Sequence, residues 1–280
     1  MPMRTLKEAL LDAQAQGLAR IDAQLLLLHT LGRDPNDRAW LLAHDTDTLS
    51  SDSTTAFDAL CRRRLAGEPV AYLTGHKAFY GLQLRVDARV LDPRPDTETL
   101  VDWALAVLAN QAKPVVLDLG TGSGAVALAI QHQRPDAEVH AVDASPGALA
   151  VAQTNAEALG LPVRFWTGSW FQPVPTGWRF NTIVSNPPYV AEGDPHLRAL
   201  THEPLSALTS GADGLDDIRT IVAQAGEHLL PGGWLLLEHG HDQGAAVRAL
   251  LTAAGFEAVS TRTDLPGLDR CSGGQWAGLG

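Results

Sequence analysis

The stretch VVLDLGTGSGAVALAI, Val115 to Ile130, constrains this chain more than any other. An apolar run passes through Asp118, glycines recur at Gly120, Gly122 and Gly124, and a second apolar run of helical composition follows at once. Glycine lets a backbone turn tightly and lets a ligand approach where a Cβ would stand in the way, and a helix start offers N–H groups without intrahelical partners. A strand feeding such a turn and then a helix opens a parallel α/β unit whose turn, Gly120-Thr121-Gly122-Ser123-Gly124, is suited to holding a ligand. The spacing Gly120-x-Gly122-x-x-Ala125 also meets the loose dinucleotide pattern, so this stretch alone leaves open a nicotinamide, a flavin or S-adenosylmethionine.

The same grammar continues downstream. A helix over Thr97–Leu108 precedes the strand Val115–Leu117, and a helix over Ala125–Gln131 leads to the strand Val139–Val142 and a helix over Pro146–Leu159. Val163–Trp166, Thr182–Val184 and Trp234–Leu237 read as further strands, the last after a helix over Leu215–Leu230 that PGG breaks off. GFEAVSTRTDL and a short Gln275–Leu279 segment suggest a terminal hairpin. Strands alternating with helices in this way predict an α/β fold with a parallel sheet covered on both faces. The second strand ends at Asp143, about twenty residues past the glycines, where a carboxylate can accept from both ribose hydroxyls of an adenosine. Ser145, just before Pro146, is the better helix cap. After the third strand, Trp170 and Phe171 either flank a purine or cover the edge of the sheet.

The first part of the chain differs. Leu6, Leu10, Leu18, Ile21, Leu25 and Leu28 fall mostly at helical steps with a break near Gly17; a second helix covers Trp40–Leu42, and a third follows Asp52 with Phe57, Leu60 and Leu65 on one face. GHKAFYGLQLRVDARVLDPRPDTE then carries short alternating runs around Gly75 and Gly81, which predict a hairpin. The expected organisation is a helical domain over 1–72, a hairpin linker over 73–95 and an α/β domain over 96–280.

A formal net charge of −11 weighs against a broad phosphate-tracking surface, since nucleic-acid affinity rests largely on lysine and arginine. Arg62, Arg63 and Arg64 form a local basic run that reads as a solvated helix face. Neither Cys61 nor Cys271 has a metal or disulfide spacing, and both read as free thiols. No apolar run is long enough to span a bilayer, and acidic Glu8 and Asp12 stand where a signal peptide would be basic, so a cytoplasmic protein is expected.

SNPPYV, Ser185–Val190, follows the fourth strand, whose carboxyl end can share a crevice with that of the first. Asn186 has an acceptor oxygen and two donor hydrogens, Pro187 and Pro188 stiffen the backbone and hold carbonyls outward, and Tyr189 offers a flat face. Together they make a cradle for a planar NH₂ group, with acceptors fixing its hydrogens and a ring fixing its plane. An amide and an amino-purine both satisfy this description, so adenine methylation on DNA or RNA stands beside amide methylation. A dehydrogenase would share the glycine turn but has no need of the Asn186 cradle, and a ligand-free scaffold leaves the whole set without a purpose.

GTGSG, Asp143 and NPPY in this order resemble class I S-adenosylmethionine-dependent methyltransferases that modify amino groups. PRPDTE, LDLGTGSGAVALAI, SNPPYV and HEPLSALTSGADGLDDIR are similar, over nearly the whole chain, to the release factor glutamine methyltransferases. The resemblance implies a Rossmann-like fold with a mostly parallel seven-stranded sheet, a small N-terminal helical domain and a hairpin linker. It implies S-adenosylmethionine as cofactor, no metal, and methylation of the side-chain amide nitrogen of the glutamine in the GGQ motif of class 1 peptide chain release factors. A monomer with no stable nucleic-acid binding and no membrane association is expected. Gly120 to Gly124 would wrap the methionine end of the cofactor, Asp143 the ribose and Trp170 the adenine, with Asn186 reaching both cofactor and substrate. Asn186, Pro187, Pro188 and Tyr189 would hold the glutamine, the helical domain and hairpin would contact the release factor, and PRPDTE would close one side. Glu203 reads either as a structural anchor near the substrate channel or as a capping or solvated carboxylate. Ser169 stands where the family commonly has aspartate, which puts an acidic adenosine contact in doubt. Gly273-Gly274-Gln275 repeats the substrate's own motif and reads as a turn into the last strand.

Overall fold

The computed structural model describes residues 4–278, so Leu279 of the expected terminal segment lies outside the described residues. Two compact units emerge: one runs through His76 and takes in Ala199–His202, and the other comprises Lys77–Arg198 and the chain from Glu203 onward.

The first unit is helical, with α1 (Leu6–Ala15), α2 (Arg20–Thr30), α3 (Arg38–Ala43), α4 (Ser51–Leu65) and α5 (Val70–Thr74). Thr5 and Glu8 close a reciprocal capping box at the start of α1, and Gly17, with φ of 104°, makes the break before α2. Leu26, Leu27 and Leu28 are buried against Leu6, Leu41 and Phe57, each such burial stabilising by about 1.5–3 kcal/mol. Leu65 departs from its expected place: it is exposed, and the turn of α4 below Phe57 is filled by buried Cys61. The arginine run is partly neutralised, Arg63 pairing with Glu68 and Arg64 with Asp22 at 2.8 Å. The short helix α5 was not among the expected elements.

The second unit begins with the predicted hairpin, β1 (His76–Phe79) and β2 (Leu82–Arg85), a sheet of its own. Tyr80 and Gly81 both have positive φ, 48° and 78°, as a two-residue turn matched to strand twist requires. There follow α6 (Glu98–Leu108), β3 (Val115–Leu119), α7 (Ala125–Gln133), β4 (Glu138–Asp143), α8 (Pro146–Leu159), β5 (Arg164–Thr167) and β6 (Phe180–Ser185). The chain closes with α9 (Asp216–Ala225), β7 (Leu229–Glu238), α10 (Gly244–Ala253), β8 (Phe256–Thr263) and β9 (Asp269–Trp276). Seven strands form one sheet in the order β5-β4-β3-β6-β7-β9-β8. β3 to β7 run parallel, and β9 is antiparallel to both its neighbours. Alternate side chains serve opposite faces: Val116, Val184 and Leu236 pack with α6 and α7, while Leu117, Ile183 and Leu235 pack with α9 and α10. The winding diverges at β3, and open α/β sheets leave a ligand crevice at such a point.

Three expectations for the C-terminal part change. The helix expected over Leu215–Leu230 stops at Ala225, and Leu229 and Leu230 already belong to β7. PGG therefore breaks the strand register rather than a helix. A Cβ on Gly233 would come within 2.9–3.1 Å of three carbonyl oxygens, so glycine is what lets the irregular strand approach β6. The last strand ends at Trp276, and Gly273-Gly274-Gln275 lies inside it instead of in a turn. There a Cβ would meet Leu236 at 2.6 Å on Gly273 and Phe256 at 2.8 Å on Gly274, so the glycines serve sheet packing. Helix α10 is the remaining unexpected element. Among the described residues no helix is long and apolar enough to cross a membrane.

Candidate active site

A cavity of about 320 Å³ lies at the carboxyl ends of β3, β4 and β6. On one side its wall is Gly120, Thr121, Gly122 and Ser123 with Asp143 and Trp170; on the other it is Asn186 and Pro188. The predicted glycine turn, ribose carboxylate, aromatic and NPPY turn therefore meet at one cavity. Gly124, Pro187 and Tyr189 lie just off the wall.

The three glycines all have positive φ, but their surroundings differ. A Cβ on Gly124 would press on Leu128 at 3.0 Å and Ala152 at 3.3 Å, so this glycine allows α7 and α8 to pack. One on Gly120 would touch the Trp170 ring at 3.3 Å. One on Gly122 would meet nothing within 4 Å, so this glycine borders open space in the cavity wall. Asn155 of α8 holds the loop from behind, donating to the Ser123 carbonyl at 2.9 Å and pairing with both backbone groups of Arg85.

Asp143 is set by two backbone amides: Gly122 donates to one oxygen and Ser145 to the other, each at 2.8 Å. Each oxygen keeps a lone pair for a further donor. Burial raises the Asp143 carboxyl above its ordinary pKa, opposed by those two amides. Ser145 caps α8 as expected, its hydroxyl accepting from Ala148. Behind the loop, buried Asp118 accepts from the Thr121 hydroxyl at 2.6 Å and the Ala127 amide at 3.2 Å, and burial pushes its carboxyl up to about 7. The alternatives for the aromatic pair divide between its members. Trp170 lines the cavity, whereas Phe171 is buried in the core, stacked on His228.

The NPPY turn is fixed from several directions. Ser185 donates to the Leu119 carbonyl at 2.7 Å, tying the end of β6 to the end of β3. Asn186 Nδ2 donates to the Thr97 hydroxyl at 3.3 Å, so the threonine of PRPDTE is a direct partner of Asn186. Tyr189 donates its hydroxyl to Glu238 at 3.1 Å, and its carbonyl accepts from Gln243. Val190 bridges to Leu208 and Ser210 through backbone hydrogen bonds. Glu203 is buried and binds Arg94 and the Asp92 amide, which makes it an anchor for PRPDTE rather than a capping or solvated group. Thr97 and Glu238 were not among the expected site residues. PRPDTE pointed to the first only as a segment; the second is a single acid closing the apolar run LLLE.

These residues fit S-adenosylmethionine. Gly122 leaves room beside amides of the turn, Asp143 is held ready for paired hydroxyls, and the Trp170 ring walls the same cavity.

Comparison with known proteins agrees. Residues 97–260 match the Methyltransferase small domain family and residues 4–75 the PrmC N-terminal domain. The chain is 50% identical over 274 residues to a release factor glutamine methyltransferase of Xylella fastidiosa (strain Temecula1), covering 97% of this chain and 98% of that one. A Bordetella pertussis protein of the same description is 49% identical, covering 97% and 99%. Among solved structures, a methyltransferase from Pyrococcus furiosus matches with a TM-score of 0.52 at 19% identity, over 78% of this chain and 98% of that one. The 16S rRNA N2 G1207 methyltransferase of T. thermophilus matches with a TM-score of 0.55 at 21% identity, over 71% and 49%. At such identities the two structures speak for the Rossmann-like methyltransferase fold alone. The full-length matches go further: the chain is an S-adenosylmethionine-dependent methyltransferase and belongs to the release factor glutamine methyltransferase family.

Proposed function

We propose that this enzyme methylates the side-chain amide nitrogen of the glutamine in the GGQ motif of class 1 peptide chain release factors, in the cytoplasm and as a monomer. The observation that carries the reading is the wall of one cavity, where the glycine turn and Asp143 face a site shared with Asn186 and Pro188. The extent of similarity favours a protein amide over adenine, because the relatives match from the helical unit to the C-terminal strands. The turn NPPY alone does not discriminate.

Bound S-adenosylmethionine supplies an activated methyl group. Gly120 to Ser123 and Gly124 shape the turn for its methionine end, Asp143 accepts from the ribose hydroxyls, and Trp170 flanks the adenine. Asn186 Oδ1 and the Pro187 carbonyl accept the two N–H bonds of the glutamine amide, while Pro188 and Tyr189 keep the amide in plane. An amide nitrogen is a weak nucleophile because its lone pair is delocalised, and acceptors on both N–H bonds favour positive charge growing on nitrogen. Alignment carries most of the rest, since well-oriented reactants recover about 7–11 kcal/mol of barrier. The proton is lost from the methylated nitrogen, which is the more acidic form. The helical region 1–72 and the hairpin 73–95 are assigned to release-factor recognition, and 96–280 to chemistry.

Incubation with methyl-labelled cofactor, a release factor and nucleic acid together tests the reading. Label should enter the release factor; label confined to nucleic acid would overturn it. Gln275 of the enzyme itself should stay unmodified, because it pairs inside β9 and its Nε2 donates to the Gly232 carbonyl at 2.9 Å.

A further inference from the structure

The order of strands gives the NPPY turn two different neighbours. β3 and β4, whose ends carry the cofactor wall, lie on one side of β6, and β7, β9 and β8 lie on the other. Because β9 runs antiparallel to β7 and to β8, the turn from β8 to β9 leaves the sheet at the same edge as the cavity. Ser185 pairs with Leu237 and Glu238 with Cys271, so Asn186 begins level with Cys271. The last pair of the next ladder, Thr263 with Asp269, stands two residues further out, about 7 Å at the usual strand rise. Leu265 to Leu268 join the strands beyond that pair.

This turn is built around a buried acid. The Asp264 side chain accepts from the Leu268 amide at 2.8 Å, its backbone carbonyl accepts from Gly267 at 2.9 Å, and its own amide donates to the Leu268 carbonyl at 2.9 Å. Gly267 supplies a φ of 88° that the turn requires. Arg270 then ties the turn to the cavity wall, pairing with Asp264 at 3.0 Å and with Asp96 at 3.3 Å, directly before the Thr97 that binds Asn186. Yet the side chains held up by this polar frame are apolar. Leu265 is fully exposed, Leu268 is half-exposed, and Pro266 between them is exposed as well. They add nothing to the core, and apolar side chains grouped on a fixed surface turn mark a contact surface.

We propose that Leu265, Pro266 and Leu268 form an apolar shelf for the release-factor chain beside its target glutamine. The inference rests on the proposed reading, in which that glutamine lies at Asn186. From β6 to β9 and β8 is two to three strand spacings, about 10–14 Å, and an extended chain covers about 3.3–3.6 Å per residue. The shelf therefore meets the segment about three or four residues from the glutamine. Small or apolar side chains suit it, because the neighbouring carboxylates of Asp264 and Asp96 are already paired with Arg270. A substrate chain has to pass this edge to deliver its amide, which favours the release factor over a second copy of the enzyme.

The test compares wild type, Leu265→Met and the Leu265→Ser/Leu268→Ser double variant, measuring kcat and KM for intact release factor, cofactor Kd by calorimetry and the thermal midpoint. We expect the double variant to raise KM about tenfold while kcat stays within about twofold of wild type, the pattern of lost binding shared by ground and transition states. Cofactor Kd and the midpoint should not move, since neither side chain lines the cavity or packs in the core. Leu265→Met should behave as wild type. In a second measurement, the photoreactive variant Leu265→benzoylphenylalanine should crosslink to release-factor residues within about six of the glutamine. A KM within about twofold of wild type in the double variant, or crosslinks only to distant parts of the release factor or to a second enzyme molecule, would overturn the inference alone. Failure of wild type to label any release factor would overturn the underlying reading of function, and the inference with it.

Discussion

The two walls of the cavity are built by different means. On the cofactor side, backbone does the work: the turn after β3 is shaped by glycines of positive φ, and Asp143 is set by the amides of Gly122 and Ser145. On the acceptor side, side chains far apart in sequence hold each other. Asn186 is fixed by Thr97, Tyr189 by Glu238, and PRPDTE by Glu203. Under the proposed assignment the difference separates two jobs: backbone gives a rigid receptor for a large constant ligand, whereas side-chain networks can aim a single acceptor at one N–H bond.

Variants on the two sides should therefore fail in different ways. The largest effect should come from Asn186→Ala, lowering kcat by about 10²–10³-fold at saturating cofactor while calorimetry finds cofactor affinity almost unchanged. Equal losses in both quantities would merge the two walls. Asp143→Ala should weaken cofactor binding by about 1–3 kcal/mol and largely spare the saturated rate, because unpaired ribose hydroxyls are the main cost. Normal affinity in a titration would remove Asp143 from the ribose.

The glycines sharpen the comparison within one wall. Gly124→Ala should lower the thermal midpoint most, since it combines φ of 84° with the crowding of Leu128 and Ala152. Gly122→Ala has backbone strain of about 1–2 kcal/mol but no steric clash within the protein, so its larger effect should be on cofactor affinity. Differential scanning calorimetry with and without cofactor distinguishes them; the reverse ranking would refute the assignment.

The smallest effect is on pH-dependent stability. Asp118 and Glu238 both have carboxyls raised to about 7 by burial. The folded state therefore binds their protons more tightly than the unfolded state, and their contribution is greatest below the ordinary carboxylate range and declines as pH rises through about 7. Thermal midpoints should fall across that window, and less steeply in Glu238→Gln. An equal slope in the variant would mean that Glu238 does not titrate there.

The same division explains what could be read from residues alone. The glycine turn, the Asp143 strand end and the Ser145 cap are local patterns, each decided by a few consecutive residues. Trp170 and Phe171 were ambiguous because adjacent aromatics differ only in which one the β5 loop turns inward, and Trp170 adopts φ of 49° there. Thr97 and Glu238 were invisible for a different reason: their partners lie 89 and 49 residues away, and only the order of strands brings them together. The false helix end at PGG has a similar cause. Pro231-Gly232-Gly233 has the composition of a helix stop, but the approach of β7 to β6 decides its conformation. Here pairing overrode local preference.

Peptide mapping of a release factor treated with this enzyme and S-adenosylmethionine tests the central claim most directly, because it identifies substrate and modified atom together. The account predicts one added methyl group, on the side-chain amide nitrogen of the glutamine in the GGQ motif. An unmodified glutamine, or a methyl group found only on another residue, would contradict it.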